Sequence, residues 1–250
     1  FVQQQHTICN FSNEQSWVIL SPIEQSIKQK IESVGTPLKD WDIKIYRGVL
    51  TGYNDAFIIS TEKRDEILAN CQTEEERIRT AELIRPILRG RDIKRYGYNW
   101  ADLWLIATFP SRHYDIEMYP AVKAHLLSFG KERLEQTGKK YIINGEEIKA
   151  RKKTSNKWFE TQDSISYWDD FFKPKIVYPN MTKYLPFVYD DKKHLTNQKC
   201  FIITGENVAF LTVFFNSSLF KVCFRDSFPE LQGGTRELGK IFFDKIPVIQ

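Results

Sequence analysis

The stretch GVLTGYNDAF, residues 48–57, decides the fold that the sequence predicts, together with RGRDIKRY at residues 89–96. Glycine adopts backbone conformations that other residues avoid, so Gly48 and Gly52 indicate a tight turn. The second stretch carries four cations within seven residues, which suits a surface that meets phosphate. On these residues alone, an ordinary loop beside a charged, solvated helix end is an open alternative.

The residues on either side of the first turn resemble strands. Residues 41–46 alternate between apolar and polar side chains, and residues 56–59 are apolar. This pattern predicts a hairpin-like unit with its turn at residues 48–54.

A helix start stands near the beginning of the chain. Ser21 suits the N-cap, Pro22 the first helical position, and Glu24 the third position of a capping box. Isoleucines then recur at every fourth residue until Gly35, which predicts an amphipathic helix of about three turns.

Further elements follow without a regular alternation of strands and helices. The sequence predicts helices at residues 73–84, 120–138 and 206–222, and strands at residues 103–107, 175–178, 187–189 and 201–204. Residues 138–159 are polar and basic and are predicted to form an inserted or mobile loop. Because no βαβ rhythm emerges, the predicted fold class is α+β with mixed strands and helices.

Composition indicates a globular protein with a modest positive charge. The chain has 250 residues, of which 42% are hydrophobic, and its formal net charge is only +4. A nucleic-acid surface would therefore have to come from local clustering of cations. Four scattered cysteines, with no Cys-x-x-Cys pair, argue against a zinc site. No apolar run reaches a membrane span and no signal segment is evident, so we expect a cytoplasmic protein, of which this chain, starting at Phe1, is a piece.

The two glycine stretches stand in order with several other short segments, namely PLKDW at residues 37–41, KPKIVY at 173–178, residues 211–220 with their NSSL motif, and FDKIP at 243–247. In this order they resemble the C-terminal target-recognition domain of TaqI-type adenine-N6 DNA methyltransferases and of type IIG restriction-modification enzymes. The resemblance implies a domain that follows a methyltransferase core and holds double-stranded DNA against it. Residues 1–36 would be a linker and lead-in helix from that upstream domain, and residues 37–250 the target-recognition domain.

The catalytic half of such an enzyme is not recognisable in this chain. These methyltransferases need a glycine-rich loop for S-adenosylmethionine and an Asn/Asp-Pro-Pro-Tyr/Phe segment for the flipped adenine. The chain contains neither Gly-x-Gly nor an Asn or Asp followed by Pro. We therefore expect no catalytic residue and no cofactor here. The parent would be a site-specific adenine methyltransferase, with or without endonuclease activity, that uses S-adenosylmethionine, with magnesium as a further candidate.

One set of candidate DNA contacts lies in a basic segment. Residues 139–157 hold seven cations and two glutamates, a local excess of five positive charges. The predicted phosphate contacts are Lys149, Arg151, Lys152, Lys153 and Lys157. The alternative is an ordinary solvated face.

A second set of cations surrounds Gly90, whose missing Cβ would let a partner's backbone approach closely. These candidates are Arg89, Arg91, Lys94 and Arg95. Arginine is the commonest reader of guanine in the major groove, so one of them is a candidate base contact. Asp92 leaves another interpretation open, in which it pairs with a neighbouring arginine and holds the segment together.

Three more candidates lie in predicted turns or loops: Thr51, Asn54 and Arg236. Asn54 could bind adenine edges, but Thr51 and Asn54 are also typical of turns stabilised by their own side chains. Arg236 follows two glycines and is a candidate phosphate or base contact.

Two functions of other classes compete with DNA recognition. Glu147-Ile148-Lys149 has the Glu-x-Lys form of restriction nuclease metal sites, which would make the chain a metal-dependent nuclease if an upstream Asp completed the site. A structural or protein-interaction domain with a merely solubilising basic loop is the third hypothesis.

Overall fold

The computed structural model of the chain describes residues 20–249. Within this range the helices are α1 Pro22–Val34, α2 Asn54–Phe57, α3 Thr61–Ala69, α4 Glu74–Leu83, α5 Pro120–Leu127, α6 Lys131–Leu134, α7 Val208–Asn216, α8 Ser218–Phe224 and α9 Lys240–Phe243. The strands are β1 Thr36–Pro37, β2 Ile43–Arg47, β3 Ile58–Ser60, β4 Ile84–Leu88, β5 Ile93–Lys94, β6 Gly97–Tyr98, β7 Leu103–Ile106, β8 Lys140–Ile143, β9 Glu146–Lys149, β10 Lys175–Pro179, β11 Met181–Thr182, β12 Val188–Asp190, β13 Leu195–Thr196, β14 Cys200–Gly205, β15 Arg236–Glu237 and β16 Pro247–Val248.

The described strands form two four-stranded sheets and several two-stranded ribbons. One sheet has the order β12-β10-β14-β2 and is antiparallel, and the other has the order β13-β4-β7-β3 with one parallel pair, β13 and β4. The ribbons are β1-β16, β11-β15, β5-β6 and β8-β9. The α+β class predicted from the sequence is confirmed.

The central strands β10 and β14 separate two hydrophobic cores. Val177 and Ile202 belong to the first core, whereas Ile176, Tyr178 and Ile203 belong to the second. Successive side chains of a strand point to opposite faces, so one pair of strands supplies a wall to each core. Both faces are buried, which explains why β10 is an apolar run rather than an alternating one.

A buried ion pair lies at the edge of this sheet. Lys175 on β10 and Asp190 on β12 face each other with Nζ and Oδ2 at 2.6 Å, both fully buried. His194 Nδ1 lies 2.9 Å from the other carboxylate oxygen of Asp190, and the Lys175 ammonium also donates to the Phe171 carbonyl. Burial alone would raise the pKa of Asp190, but the hydrogen bond from His194 and the charge of Lys175 outweigh it and lower the pKa to about 2.

Helix α1 has the predicted start but not the predicted buried face. Ser21 Oγ accepts from the Glu24 amide at 3.3 Å and the Glu24 carboxylate accepts from the Ser21 amide at 2.8 Å, which is the capping box. Of its isoleucines only Ile31 is buried, in the second core. Ile23 is 74% exposed and Ile27 is 40% exposed, so most of the apolar stripe is uncovered.

The hairpin predicted around residues 48–54 is wrong. Strand β2 pairs with β14, while residues 54–57 form the short helix α2 and the following strand β3 pairs with β7 in the other sheet. The chain therefore crosses between sheets at this turn. Both pairings join residues distant in sequence, which the local pattern could not reveal.

Two predicted helices are broken in the structure. The helix from Pro120 ends at Leu127 rather than Gly138, because Gly130 has a φ of +85° and separates α5 from α6. The apolar helix at residues 206–222 is two helices, α7 and α8, because Ser217 is extended and caps α8 by accepting from the Phe220 amide. Within residues 20–249 no single helix could cross a membrane, and only this pair, bent by 71°, has the length and composition.

The remaining elements largely agree with prediction. Helix α4 starts at the predicted cap, where Thr73 Oγ1 accepts from the Glu76 amide, and the strands at β7, β10, β12 and β14 lie where expected.

Residues 138–159, predicted to be a loop, contain the β8-β9 hairpin. Its two-residue turn is Asn144-Gly145, with positive φ at both residues, as an Asn-Gly turn between paired strands favours.

Candidate nucleic-acid interface

A basic cavity of about 690 Å³ opens beside the turn between β4 and β5. Its cations are Arg89, Arg91, Lys94, Arg95, Lys199 and Lys221, and no carboxylate lines it among the described residues. The predicted segment 89–95 forms one wall of the cavity. Lysines from two distant elements, the turn before β14 and helix α8, complete it.

The two glycine stretches both pack against one turn, residues 197–199, but only the second stretch lines the cavity. A Cβ on Gly48 would overlap the Asn197 carbonyl oxygen, and a Cβ on Gly90 would lie only 3.1 Å from the Lys199 carbonyl oxygen. The Gly48 amide also donates to the Cys200 carbonyl at 2.9 Å. The prediction that Gly90 admits a partner's backbone is therefore corrected: its missing side chain makes room for the protein's own turn.

Arg89 is held within the protein. Its guanidinium donates to both carboxylate oxygens of Asp92, at 2.8 and 3.1 Å, and its amide donates to the same carboxylate. The Asp92 side chain is buried, and these bonds raise the pKa of Arg89 above its ordinary value. Of the two interpretations of this segment, the structure favours the one in which Asp92 pairs with a neighbouring arginine, Arg89, and holds the segment together.

The other three cations of the segment differ in the contacts that their side chains make within the protein. The Lys94 ammonium donates to the Arg91 carbonyl at 3.1 Å, and Arg95 donates to the Asn216 carbonyl at 2.7 Å while its guanidinium stacks on Tyr96. Arg91 is exposed, and its guanidinium has no hydrogen bond or ion pair with residues 20–249. Of this set, Arg91 is the side chain most available to a ligand.

Sequence reasoning missed Lys199 and Lys221. Each is a lone lysine with no local motif, and long-range packing brings them to the cavity. Lys199 is fixed by the turn whose amide donates to Asn197 Oδ1 and whose carbonyl accepts from the Asn180 amide. Lys221 lies on α8, a helix whose buried side chains belong to the second core.

Thr51 has a structural role. It is fully buried, its hydroxyl donates to Asn54 Oδ1 at 2.7 Å, and it accepts from the Tyr53 amide. Thr51 therefore stabilises the turn, as one of the two sequence interpretations predicted. Its side chain is not available for contact with DNA. Asn54 is exposed, but its oxygen is engaged by Thr51.

Arg151 is likewise not an exposed contact. Its guanidinium is buried and donates to the carbonyls of Leu134, Thr51, Glu160 and Trp158, at 2.7–2.8 Å. Burial lowers the pKa of Arg151 to about 10. The predicted phosphate contact at this position is corrected to an internal clamp, because all donors face the protein's own backbone.

The other cations of the basic segment remain exposed, at Lys149, Lys152, Lys153 and Lys157. None lines the cavity. Lys149 is the last residue of β9, and the other three lie in the irregular segment that follows it. The structure thus divides the predicted contacts into a cavity set and a hairpin set.

The sequence of residues 85–248 matches the TaqI-like C-terminal specificity domain. The chain belongs to this family. Among solved structures, it is similar to the type IIG restriction endonuclease BpuSI, with a TM-score of 0.56 and 12% identity over 91% of this chain and 26% of that one. A second similar structure is the type IIL restriction-modification enzyme MmeI in complex with DNA, with a TM-score of 0.46 and 10% identity over 80% of this chain and 27% of that one. No curated protein sequence matches.

This specificity domain spans about a quarter of the length of those two solved chains. At 12% identity, the likeness to BpuSI shows a shared fold.

Arg236 of the specificity domain is an internal tie rather than a free loop cation. Its guanidinium lies 2.7 Å from both Asp226 and Glu230 and donates to the Phe228 carbonyl at 3.0 Å. The two carboxylates more than offset its charge. The predicted DNA contact at Arg236 is corrected accordingly.

The Glu-x-Lys motif of the specificity domain lies on β9 of the exposed hairpin. Glu147 pairs with Lys140 across the hairpin at 2.9 Å, and both side chains are largely exposed. Within residues 20–249, no three His, Cys, Asp or Glu side chains are grouped to hold a metal ion. No observation in the described residues favours the nuclease hypothesis.

Proposed function

We propose that this specificity domain binds double-stranded DNA and selects the sequence at which an upstream domain acts. The observation that carries the proposal is the basic cavity, in which six cations converge and, within the described residues, only Arg89 is paired with a carboxylate. Such a surface attracts phosphate, and releasing counterions from DNA drives binding. The family description, a specificity domain, supports the same role.

The cavity and the hairpin would make different contacts. Arg91 is exposed and unpaired within the described chain, so it is the candidate base reader, through a bidentate contact to guanine. Lys149, Lys152, Lys153 and Lys157 are exposed and have no ion pair within residues 20–249, which suits contacts to phosphate that set position rather than sequence.

The chemistry would lie outside this chain. We infer that the parent is a type IIG restriction-modification protein in which an upstream methyltransferase domain methylates adenine at N6 with S-adenosylmethionine, with magnesium serving any attached nuclease. The exposed Ile23 and Ile27 on α1 support docking of that domain against this helix. Cytoplasmic localisation follows from this role, because the substrate is cellular or invading DNA.

The test is the salt dependence of duplex binding, measured by fluorescence anisotropy. Arg91→Ala combined with Lys199→Ala removes two cavity charges, and Lys30→Ala combined with Lys44→Ala removes two exposed charges elsewhere. We expect the cavity pair to weaken binding, through loss of the Arg91 base contact and of the Lys199 phosphate contact, and to reduce the slope of log K against log salt by up to about 0.9, while the control pair leaves both unchanged. Absence of salt-dependent binding by the wild type would favour the structural or interaction domain instead.

A further inference from the structure

A second basic cavity adjoins the first, and one tyrosine stands between them. The second cavity has a volume of about 550 Å³ and is lined by Lys183, Arg225 and Asp226 among others. Tyr184 and Lys221 line both cavities. The two cavities are therefore neighbouring parts of one groove, divided by these two side chains.

Charge favours a polyanion in the second cavity as in the first. Lys183 and Arg225 are exposed, and the ammonium of Lys221 has no ion pair with any residue in the described part of the chain. The one carboxylate in the lining, Asp226, shares the Arg236 guanidinium with Glu230, at 2.7 Å each, so its charge is only partly offset, and the three cations of the lining still outweigh it. The phosphates of one DNA strand could thus occupy both cavities in succession.

The Tyr184 ring is presented to solvent by its neighbours. It is 74% exposed, although tyrosine has a large apolar ring that normally finds packing partners. The Tyr184 amide donates to Thr182 Oγ1 at 3.1 Å, which fixes the turn before it. Leu185 follows with its side chain buried and a φ of +52°, a conformation that non-glycine residues rarely adopt.

This backbone explains why the ring points outward. Leu185 anchors in the second core, and the left-handed conformation turns the preceding residue away from that core. Non-glycine residues in this region store strain, and such residues concentrate at binding and catalytic sites. The strain and the exposed ring occur at the point that divides two cation-lined cavities.

We propose that Tyr184 stacks on an unpaired or extruded base of a DNA strand that runs through both cavities, with Lys221 holding a phosphate beside it. This proposal rests on the proposed DNA binding and adds the position where the duplex opens. Every base has a flat π face, so an exposed aromatic ring between basic cavities suits this contact without selecting a sequence. A base already unpaired reaches the ring without the loss of its own stacking and pairing.

The experiment compares two duplexes, one fully paired and one with a single unpaired adenine in an otherwise identical sequence. Binding is measured for the wild type, Tyr184→Ala and Tyr184→Phe, with Tyr189→Ala as a control. Tyr189 is another exposed tyrosine and lines neither cavity. Because Tyr184 is largely exposed, its substitution should leave the melting temperature unchanged.

We expect the wild type to bind the duplex with the unpaired base at least about fivefold more tightly than the paired one, the lower end of the effect of stacking on one base. Tyr184→Ala should lose this preference, and Tyr184→Phe and Tyr189→Ala should keep it. With 2-aminopurine at the unpaired position, emission in the wild-type complex should be lower than in the Tyr184→Ala complex, because stacking on the ring quenches it.

The outcomes separate the two proposals. Equal binding of both duplexes by the wild type, or an unchanged preference in Tyr184→Ala, would contradict the role of Tyr184 while leaving DNA binding in place. A wild type that binds neither duplex would contradict both.

Discussion

The guanidinium of Arg89 and the carboxylate of Asp92 form a bidentate ion pair, with Nη2 and Oδ1 at 2.8 Å and Nε and Oδ2 at 3.1 Å. Arg91, only two residues further on, is exposed and has no partner of this kind in residues 20–249. The two arginines therefore have separable roles, one in holding the turn and one in facing a ligand.

Replacing Arg91 with Ala in the full-length parent should relax methylation at one base position. A bidentate contact to guanine contributes about 1 to 3 kcal/mol of discrimination, which the shorter side chain would lose. Mapping of methylated sites checks this outcome, and the melting temperature should not change. An unaltered site would move the base contact to another cation of the cavity.

Replacing Arg89 with Ala should instead destabilise the fold by about 2 kcal/mol. The substitution leaves the buried carboxylate of Asp92 without its charged partner, and a hydrogen bond to a charged group contributes about 1.5 to 3 kcal/mol. Chemical denaturation measures the free energy of unfolding, with Arg91→Ala as the matched control. Equal stability of the two variants would contradict the tie.

Arg151→Ala should be far more damaging than Lys152→Ala. The first substitution removes a donor from four carbonyl oxygens, of which, among the described residues, only that of Glu160 keeps another, the Gln136 amide nitrogen, and we expect this to cost about 3 kcal/mol or more. The second removes an exposed side chain next to it. Thermal melting of both variants decides between an internal clamp and an exposed contact, since similar melting temperatures would indicate the latter.

Lys152→Ala combined with Lys153→Ala should weaken binding to all DNA sequences alike. Phosphates carry no direct sequence information, so discrimination between sites should not change, and the slope of log K against log salt should fall by up to about 2. Binding to two unrelated duplexes over a range of salt tests this. A loss confined to one duplex would indicate base contacts from the hairpin region.

Stability should fall in acid because of Asp190. Its pKa is lowered to about 2 in the folded protein, against about 3.9 in an unfolded chain, so the ionised group stabilises the fold above about pH 4. This contribution, about 2 to 3 kcal/mol, is lost as pH decreases from about 4 to about 2. Denaturation of the wild type and of Asp190→Asn across this range measures it, and the variant should show a shallower decline.

Local signals in the sequence predicted the local structure well. The capping box at Ser21 and Glu24 and the apolar runs at β7, β10 and β14 determined elements whose causes lie within a few residues. The pairing of β2 with β14 could not be predicted in this way, since its partner residues are 154 to 162 positions apart and the local pattern favoured pairing with residues 56–59 instead.

The candidate site was only partly predictable for the same reason. Charge clustering identified segment 89–95, which does line the cavity. It could not distinguish Arg91 from Arg151, because burial depends on the surrounding fold. Lys199, Lys221 and Tyr184 have no motif around them, and only the packing of distant elements brings them together.

The wall that β10 and β14 give to both cores limits how this domain can be recombined. Relatives could exchange sequence at a boundary that separates the two cores. In such a chimaera, one face of β10 and of β14 would pack against core residues from another protein, which it was not selected to fit. Boundaries for a chimaera therefore belong in exposed segments such as the β8-β9 hairpin, and not at the cavity turn, where Gly48 and Gly90 pack against residues 197–199. New specificities are better sought by replacing those surface segments than by exchanging halves.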